Sequence, residues 1–285
     1  MITGTRYRLN QEIRRQQMVA SDIAQAQAQI STGKRIQTPS DDSVASARVS
    51  VVARAQSNEA AWKRNLDTAA ALSERSDTVL GSVANNLVRA SELLVQAASD
   101  TLSAADRAPI ILELRSIATE VNALSNSRDT SGNPLFRTGS ELQIPVGDNV
   151  SLSAVGTRDA IFGSVPTAAG PQDLATLINA AADAVAEPVA ATRATLIATS
   201  IDTMNGSTDH IAAARGDQGA RGNRIDQLID RSATIGIQLK AERSALEDTD
   251  ITEVVAKLQS SQLTLEAAQA AFARTNQSTL FDLLR

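Results

Sequence analysis

From residue 43 to residue 99 the chain runs without a proline and with a single glycine, Gly81. Its seam residues Ala69, Leu72, Ser76, Val79, Val83, Asn86, Ala90, Leu93 and Ala97 recur alternately every three and four positions. That is the spacing of one helix face packed lengthwise against another. About 57 residues at about 1.5 Å each make a helix roughly 85 Å long. A helix of that length in a chain of 285 residues sets the architecture. Aromatic side chains make up only 2% of the chain, and the apolar residues are mostly Ala, Leu, Ile and Val. Such side chains suit slender helix-on-helix packing better than a wide core.

The long segment begins at a hinge. Gly33 suits the left-handed residue that closes a helix, with Lys34 and Arg35 at its negative end. Pro39 holds Thr38 extended, and Ser40, Asp41 and Asp42 offer cap oxygens to the next helix. Before the hinge, residues 9–30 carry Leu9, Ile13, Ala20, Ile23 and Ile30 with Gln16 and Gln27 between them. So lean a stripe is marginal as an isolated helix and needs a partner.

A third helix is expected over 107–126, with Ile110, Ile111, Leu114, Ile117, Val121 and Leu124 on one face. Between 129 and 171 the chain turns to short alternating runs, and Gly147-Asp148-Asn149 predicts a hairpin between strands at 142–146 and 150–155. Helical sequence resumes over 172–186 and again from Pro188 to about residue 246. Gly206, Gly216, Gly219 and Gly222 favour an interruption there, with a kink near 216–222. A second hinge at 244–251 offers Thr249 or Asp250 as cap for a last helix striped by Ile251, Val254, Leu258, Leu265, Ala268 and Phe272.

The residues therefore predict a mainly α chain, a long antiparallel helical bundle or coiled coil with a small β-containing segment. Residues 1–37 carry six basic side chains against two acidic ones, and residues 247–285 carry six acidic against three basic. Opposite sums favour pairing of the two ends, although each exposed pair contributes only about 0–1 kcal/mol.

The run Gln29-Ile30-Ser31-Thr32-Gly33-Lys34-Arg35 with Pro39-Ser40-Asp41-Asp42 resembles the N-terminal signature of bacterial flagellins, and more closely that of the branch of the family that joins hook to filament. The C-terminal stretch is similar to the same family: the cap Glu247-Asp248-Thr249-Asp250, the Gln- and Ala-rich helix 259–271, and the closing 278–285 with Leu283-Leu284-Arg285. The short segment 143–162 resembles the outer part of the junction branch. The resemblance implies a nested fold. Residues 1–37 with 247–285 would form a terminal helical domain, 38–138 with 171–246 a long-helix bundle, and 139–170 a small outer segment, peripheral and dispensable for assembly. It also implies assembly contacts at Ile13, Ile23, Ile30, Leu258, Leu265 and Phe272. Arg89, Leu93 and Glu113 align with flagellin positions used in innate-receptor recognition. The implied partners are further copies of the chain, neighbouring hook-associated and flagellin subunits, and a type III export chaperone.

Other chemistry is expected to be absent. With 27 basic and 32 acidic residues the net charge is −5, without the basic excess of a nucleic-acid binder. There is no cysteine and a single histidine, His210, which a solvated or helix-packed role explains better than catalysis. Asp41-Asp42 and Glu247-Asp248-Thr249-Asp250 sit where helix caps are needed and lack a calcium-loop spacing, so no metal or cofactor is expected. Arg215-Gly216-Asp217 is the integrin tripeptide, a weak signal. No phosphate loop, dinucleotide fingerprint or nucleophile elbow occurs, so an enzyme is not expected. No run reaches a membrane span, and no apolar leader opens the chain, so any export is expected to use a dedicated route; the resemblance implies the flagellar type III route and an extracellular location. The leading expectation is a structural subunit that adapts hook to filament by helical self-assembly. A filament flagellin and a surface adhesin or glycan-binding protein remain the alternatives.

Overall fold

The structure is a computed structural model and describes residues 2–99 and 101–281. Six α-helices and one hairpin follow in order: α1 (Ile2–Thr32), α2 (Ser43–Ala97), α3 (Ala104–Ser125), β1 (Gln143–Gly147), β2 (Val150–Ser153), α4 (Leu174–Ala186), α5 (Ala190–Glu247) and α6 (Ile251–Phe281). A π-helical turn at Asp159–Gly163 lies between β2 and α4. The chain is thus mainly α with a small two-stranded antiparallel sheet.

Contacts divide the chain into two compact units, Met1–Ser57 with Gly236–Arg285, and Asn58–Ile235. These bounds fall further inside the chain than the hinges, and residues 139–170 belong to the second unit. In the first unit α1 packs against α6. The opposite charges of the two ends meet at the hinges and not along these helices: Lys34 pairs with Glu247, and among the described residues no ion pair joins α1 to α6.

In the second unit the core runs along α2 and includes Leu66, Leu80, Leu87 and Leu94 as well as Val83, Ala90 and Leu93. The buried face of α2 is wider than the single seam read from the sequence, because Ser73, Leu80, Leu87 and Leu94 form a second row beside it. The helix α3 starts three residues before the expected Arg107. Ser103 and Asp106 form a capping box, with the Asp106 N–H donating to Ser103 Oγ at 3.3 Å and the Ser103 N–H to Asp106 Oδ2 at 3.0 Å. The spacing Ser-x-x-Asp was legible as a cap, but the polar run before it read as a break. The helix packs on α4, which starts at an Asp173 cap.

The helix α5 continues through Gly206, Gly216, Gly219 and Gly222, contrary to the expected interruption. Buried Met204, Ile211 and Ile225 anchor it on either side of the glycines, and tertiary packing outweighs a propensity cost of about 1 kcal/mol per glycine.

The hairpin pairs Ile144 with Leu152 and Gly147 with Val150, with a bulge between Pro145 and Gly147 and Asn149 at φ 57° in the turn. Its inner side chains Ile144, Val146 and Leu152 join the core of the helices, as do Val155, Ile161, Phe162 and Val165. Phe162 meets Phe136 edge to face with ring centroids 5.0 Å apart. The segment is therefore anchored by its own apolar residues, so the loss of stability on deleting it exceeds that of a surface loop.

Candidate assembly site

The two hinges of the first unit are sewn together by backbone as well as side chains. Gly33, at φ 69°, closes α1 by donating its N–H to the Gln29 carbonyl at 2.8 Å. Its own carbonyl accepts from the Thr249 N–H at 3.0 Å, and the Arg35 N–H donates to the Glu247 carbonyl at 2.6 Å. The Arg35 guanidinium adds bonds to the Leu246 carbonyl and to Asp42.

Each hinge also caps the helix that leaves it. Asp42 Oδ1 accepts from the Ala45 N–H at 2.9 Å at the start of α2, and Asp250 Oδ1 accepts from Thr252 and Glu253 at the start of α6. Asp41 gathers the Gln37 and Thr38 amides and the Thr38 hydroxyl. These donors, the Thr38 amide foremost, hold its carboxyl below the ordinary range. The Ala45 amide and then Arg35 do the same for Asp42. Glu247 is 8% exposed. Burial pushes its carboxyl up, but Lys34 at 3.1 Å and Arg243 at 3.2 Å outweigh it, and the net displacement is downward. Ser244 also donates to Asp248 across the turn. The two acidic runs thus act as caps and clasps. Among the described residues no group of three or more His, Asp or Glu side chains is placed to hold a metal ion.

Along α6, Val254, Leu258, Ser261, Leu265, Ala268 and Phe272 are half-buried in an unbroken three-four spacing. Along α1 the corresponding row is Gln16, Val19, Ile23, Ala26 and Ile30, of which only Ala26 is fully buried. Ile23, Ile30, Leu258, Leu265 and Phe272 thus share the faces on which α1 and α6 pack. Ile13 does not join them and is 42% exposed. The α1 sequence supports two overlapping stripes with Gln16, Ile23 and Ile30 in common. The packed one contains Val19 and Ala26 in place of Ala20 and Gln27, so Leu9 and Ile13 are left at the surface. On α6, Leu263 is 69% exposed. A pair of slender helices covers each seam on one side only, and the rows stay half-open.

The residues aligned with a receptor surface separate. Arg89 Nε lies 2.7 Å from Glu113 Oε1 and its Nη1 lies 3.1 Å from Glu92. Leu93, 2% exposed, is in the core, so only Arg89 and Glu113 of the three face solvent. His210 is half-buried, and its Nε2 lies 3.1 Å from both the Ala160 and the Ile161 carbonyls of the π turn. Two carbonyl partners require a proton on Nε2. Arg215 of the integrin-like tripeptide lies within α5 and pairs with Asp77 at 3.6 Å.

Sequence reasoning missed a polar cluster in the second unit. Gln218 is 3% exposed. Its Nε2 donates to Ser73 Oγ at 2.8 Å and the Ala154 carbonyl at 2.9 Å, and its Oε1 accepts from Ser76 Oγ at 3.2 Å. One turn on, Arg221 makes a two-pronged pair with Glu141 at 2.6 and 3.1 Å and reaches the Ser153 carbonyl. The Arg221 guanidinium holds the Glu141 carboxyl below its ordinary range. Among the described residues, no helix is long and apolar enough to cross a membrane.

Known proteins place this architecture. The bacterial flagellin N-terminal helical region matches residues 7–140, and the bacterial flagellin C-terminal helical region matches residues 201–284. The flagellar hook-associated protein 3 of Salmonella typhimurium is 25% identical, with 90% of this chain and 91% of that protein covered. The flagellar filament 41 kDa core protein of Borreliella burgdorferi is 24% identical with coverage of 90% and 91%. Among solved structures, a flagellar hook-associated protein from Vibrio parahaemolyticus superposes with a TM-score of 0.66 at 19% identity, covering 73% of this chain and 100% of that one. The flagellar hook associated protein-3 from Legionella pneumophila gives a TM-score of 0.62 at 12% identity, covering 70% of this chain and 98% of that one. With both helical regions of one family matched over most of its length, the chain belongs to the bacterial flagellin family, a family of structural proteins of the flagellum.

Proposed function

We propose that this chain is the subunit that joins hook to filament, assembling through its terminal helices into a short helical ring. The observation that carries the reading is the half-open seam of α1 and α6. Ile23, Ile30, Leu258, Leu265 and Phe272 recur with coiled-coil spacing yet none is fully buried in a single chain. Apolar rows of this kind gain burial when neighbouring copies supply the missing wall. Residues 1–37 and 247–285 would then form the inner, assembling domain.

Relatives named hook-associated protein 3 and relatives named as filament proteins both match across nine tenths of the chain, and the junction position is favoured by the resemblance of the signature at 29–42 to the junction branch. The resemblance of the short 143–162 segment points the same way. In that position the chain contacts a hook-associated protein on one side and flagellin on the other, and reaches it by the flagellar type III route with an export chaperone. Deleting the gene and viewing the cells by electron microscopy tests the reading. Hooks without filaments, with flagellin shed into the medium, are expected. Hooks that still carry normal filaments would overturn the junction role, and loss of the filament protein itself would mark this chain as the filament subunit.

A further inference from the structure

In the second unit the helix α5 buries a column of side chains seven residues apart, Ile197, Met204, Ile211, Gln218, Ile225 and Ser232, with Ser207 buried beside it. Opposite, α2 repeats at the same interval with Leu66, Ser73, Leu80, Leu87 and Leu94. Two helices with matching seven-residue repeats have near-equivalent alignments displaced by one repeat, about 10 Å, since apolar layers alone distinguish them poorly. Gln218 breaks that equivalence. All three of its bonds go to groups found at one level only, the Ser73 and Ser76 hydroxyls and the Ala154 carbonyl just beyond β2. A shift by one repeat sets the Gln218 amide against Leu66 or Leu80 and strands a buried polar group, which is costly. Ser232 has no such role, because its hydroxyl has no hydrogen-bond partner.

We propose that Gln218, bonded to Ser73, Ser76 and the Ala154 carbonyl, is a register lock that selects one of several near-equivalent alignments of α5 against α2 and fixes the hairpin to that choice. The lock is a device for uniqueness of structure, not for stability. It is independent of where in the flagellum the chain sits.

The absence of cysteine makes the test direct. Spin labels on Thr78→Cys and Thr195→Cys, both at exposed positions and well separated along the helix axes, report axial displacement of α5 against α2 in the full-length chain. The parent pair is expected to give one narrow distance. In the Gln218→Leu background helicity is expected to be kept, with a second population displaced by about 10 Å or a broad spread of distances. If Gln218→Leu does not fold, the Ser73→Ala/Ser76→Ala/Gln218→Leu chain, whose layer has no stranded hydroxyl, is read in the same way. A single, unchanged distance in the folded variant overturns the proposal.

Discussion

Lys34 Nζ lies 3.1 Å from Glu247 Oε2, so the residue that follows the close of α1 and the last residue of α5 are clasped together. Arg243 holds the other oxygen of the same carboxylate. Removing it in Glu247→Ala leaves two cations facing each other, and a local loss of about 1–3 kcal/mol is expected. Hydrogen exchange should speed up at the amides of Arg35 and Thr249, which bridge the hinges, and stay unchanged at α3 and α4. Equal protection in the variant and the parent would show that the backbone bonds hold the clasp alone.

The same hinge should loosen in acid. Asp41, Asp42 and Glu247 all have folded pKa values below their ordinary ones. The stability they contribute is therefore fully present above the ordinary carboxylate range near pH 4 and is lost as pH falls through the folded values. Between pH 5 and 8 no change is expected. Protection of the hinge amides, corrected for intrinsic exchange, should decline only below about pH 4. A decline centred near neutrality would rule out these carboxylates as its origin.

Ile13 and Ile23 separate packing within the chain from packing between chains. Ile13 is 42% exposed, so Ile13→Ser should change monomer stability by no more than about 0.5 kcal/mol. Ile23 lies in the α1 seam, and Ile23→Ser should cost about 1–2 kcal/mol in the first unit. Thermal melting of both variants checks this order. If the two cost the same, the α1 face has been assigned wrongly.

Leu265→Asp places a carboxylate in the middle of the α6 row. The second unit should keep its helicity by circular dichroism, because Leu265 lies outside it. Incorporation into flagella should fail, since the charge has no partner in a buried intersubunit layer. Normal motility with the variant as sole copy would show that the row stays wet in the assembly.

Phe162 and Val150 contrast the two sides of the middle segment. Phe162 is almost wholly buried against Phe136, and Phe162→Ala should cost about 3–5 kcal/mol. Val150 is exposed at the hairpin turn, and Val150→Thr should be near neutral by denaturant titration. Replacing residues 140–167 by a Gly-Ser linker removes Ile144, Leu152, Ile161 and Phe162 together, and the second unit should fail to fold. A stable deletion protein would show that the helices close over the gap.

The helices and the hairpin were legible in the sequence because each has a local signature: the Gly33 stop, the Asp42 and Asp250 caps, the Asp148-Asn149 turn. The α6 row from Val254 to Phe272 could be read for the same reason, although Ile251, expected at its start, is 52% exposed. The α1 row could not, because Ile13 and Val19 belong to competing phases that only the partner helix separates. Gln218 and Arg221 carried no local signal at all. Glutamine and arginine are ordinary on a helix surface, and their importance comes from Ser73, Ala154 and Glu141, far away in the chain. Counting sevens from Ile197 would have flagged Gln218 as a polar residue in an apolar column.

Gly206, Gly216 and Gly219 in α5 face open space, where an added methyl group would touch nothing. No close approach requires them, so alanine would be tolerated at each and would make the helix firmer. Their presence lowers the mechanical work of pulling this stretch into an extended strand. Once α5 is stripped of its partner helices, the turns around Gly216, Gly219 and Gly222 should give way under tension before those around Ile197, and a chain drawn through a narrow opening would meet its least resistance there.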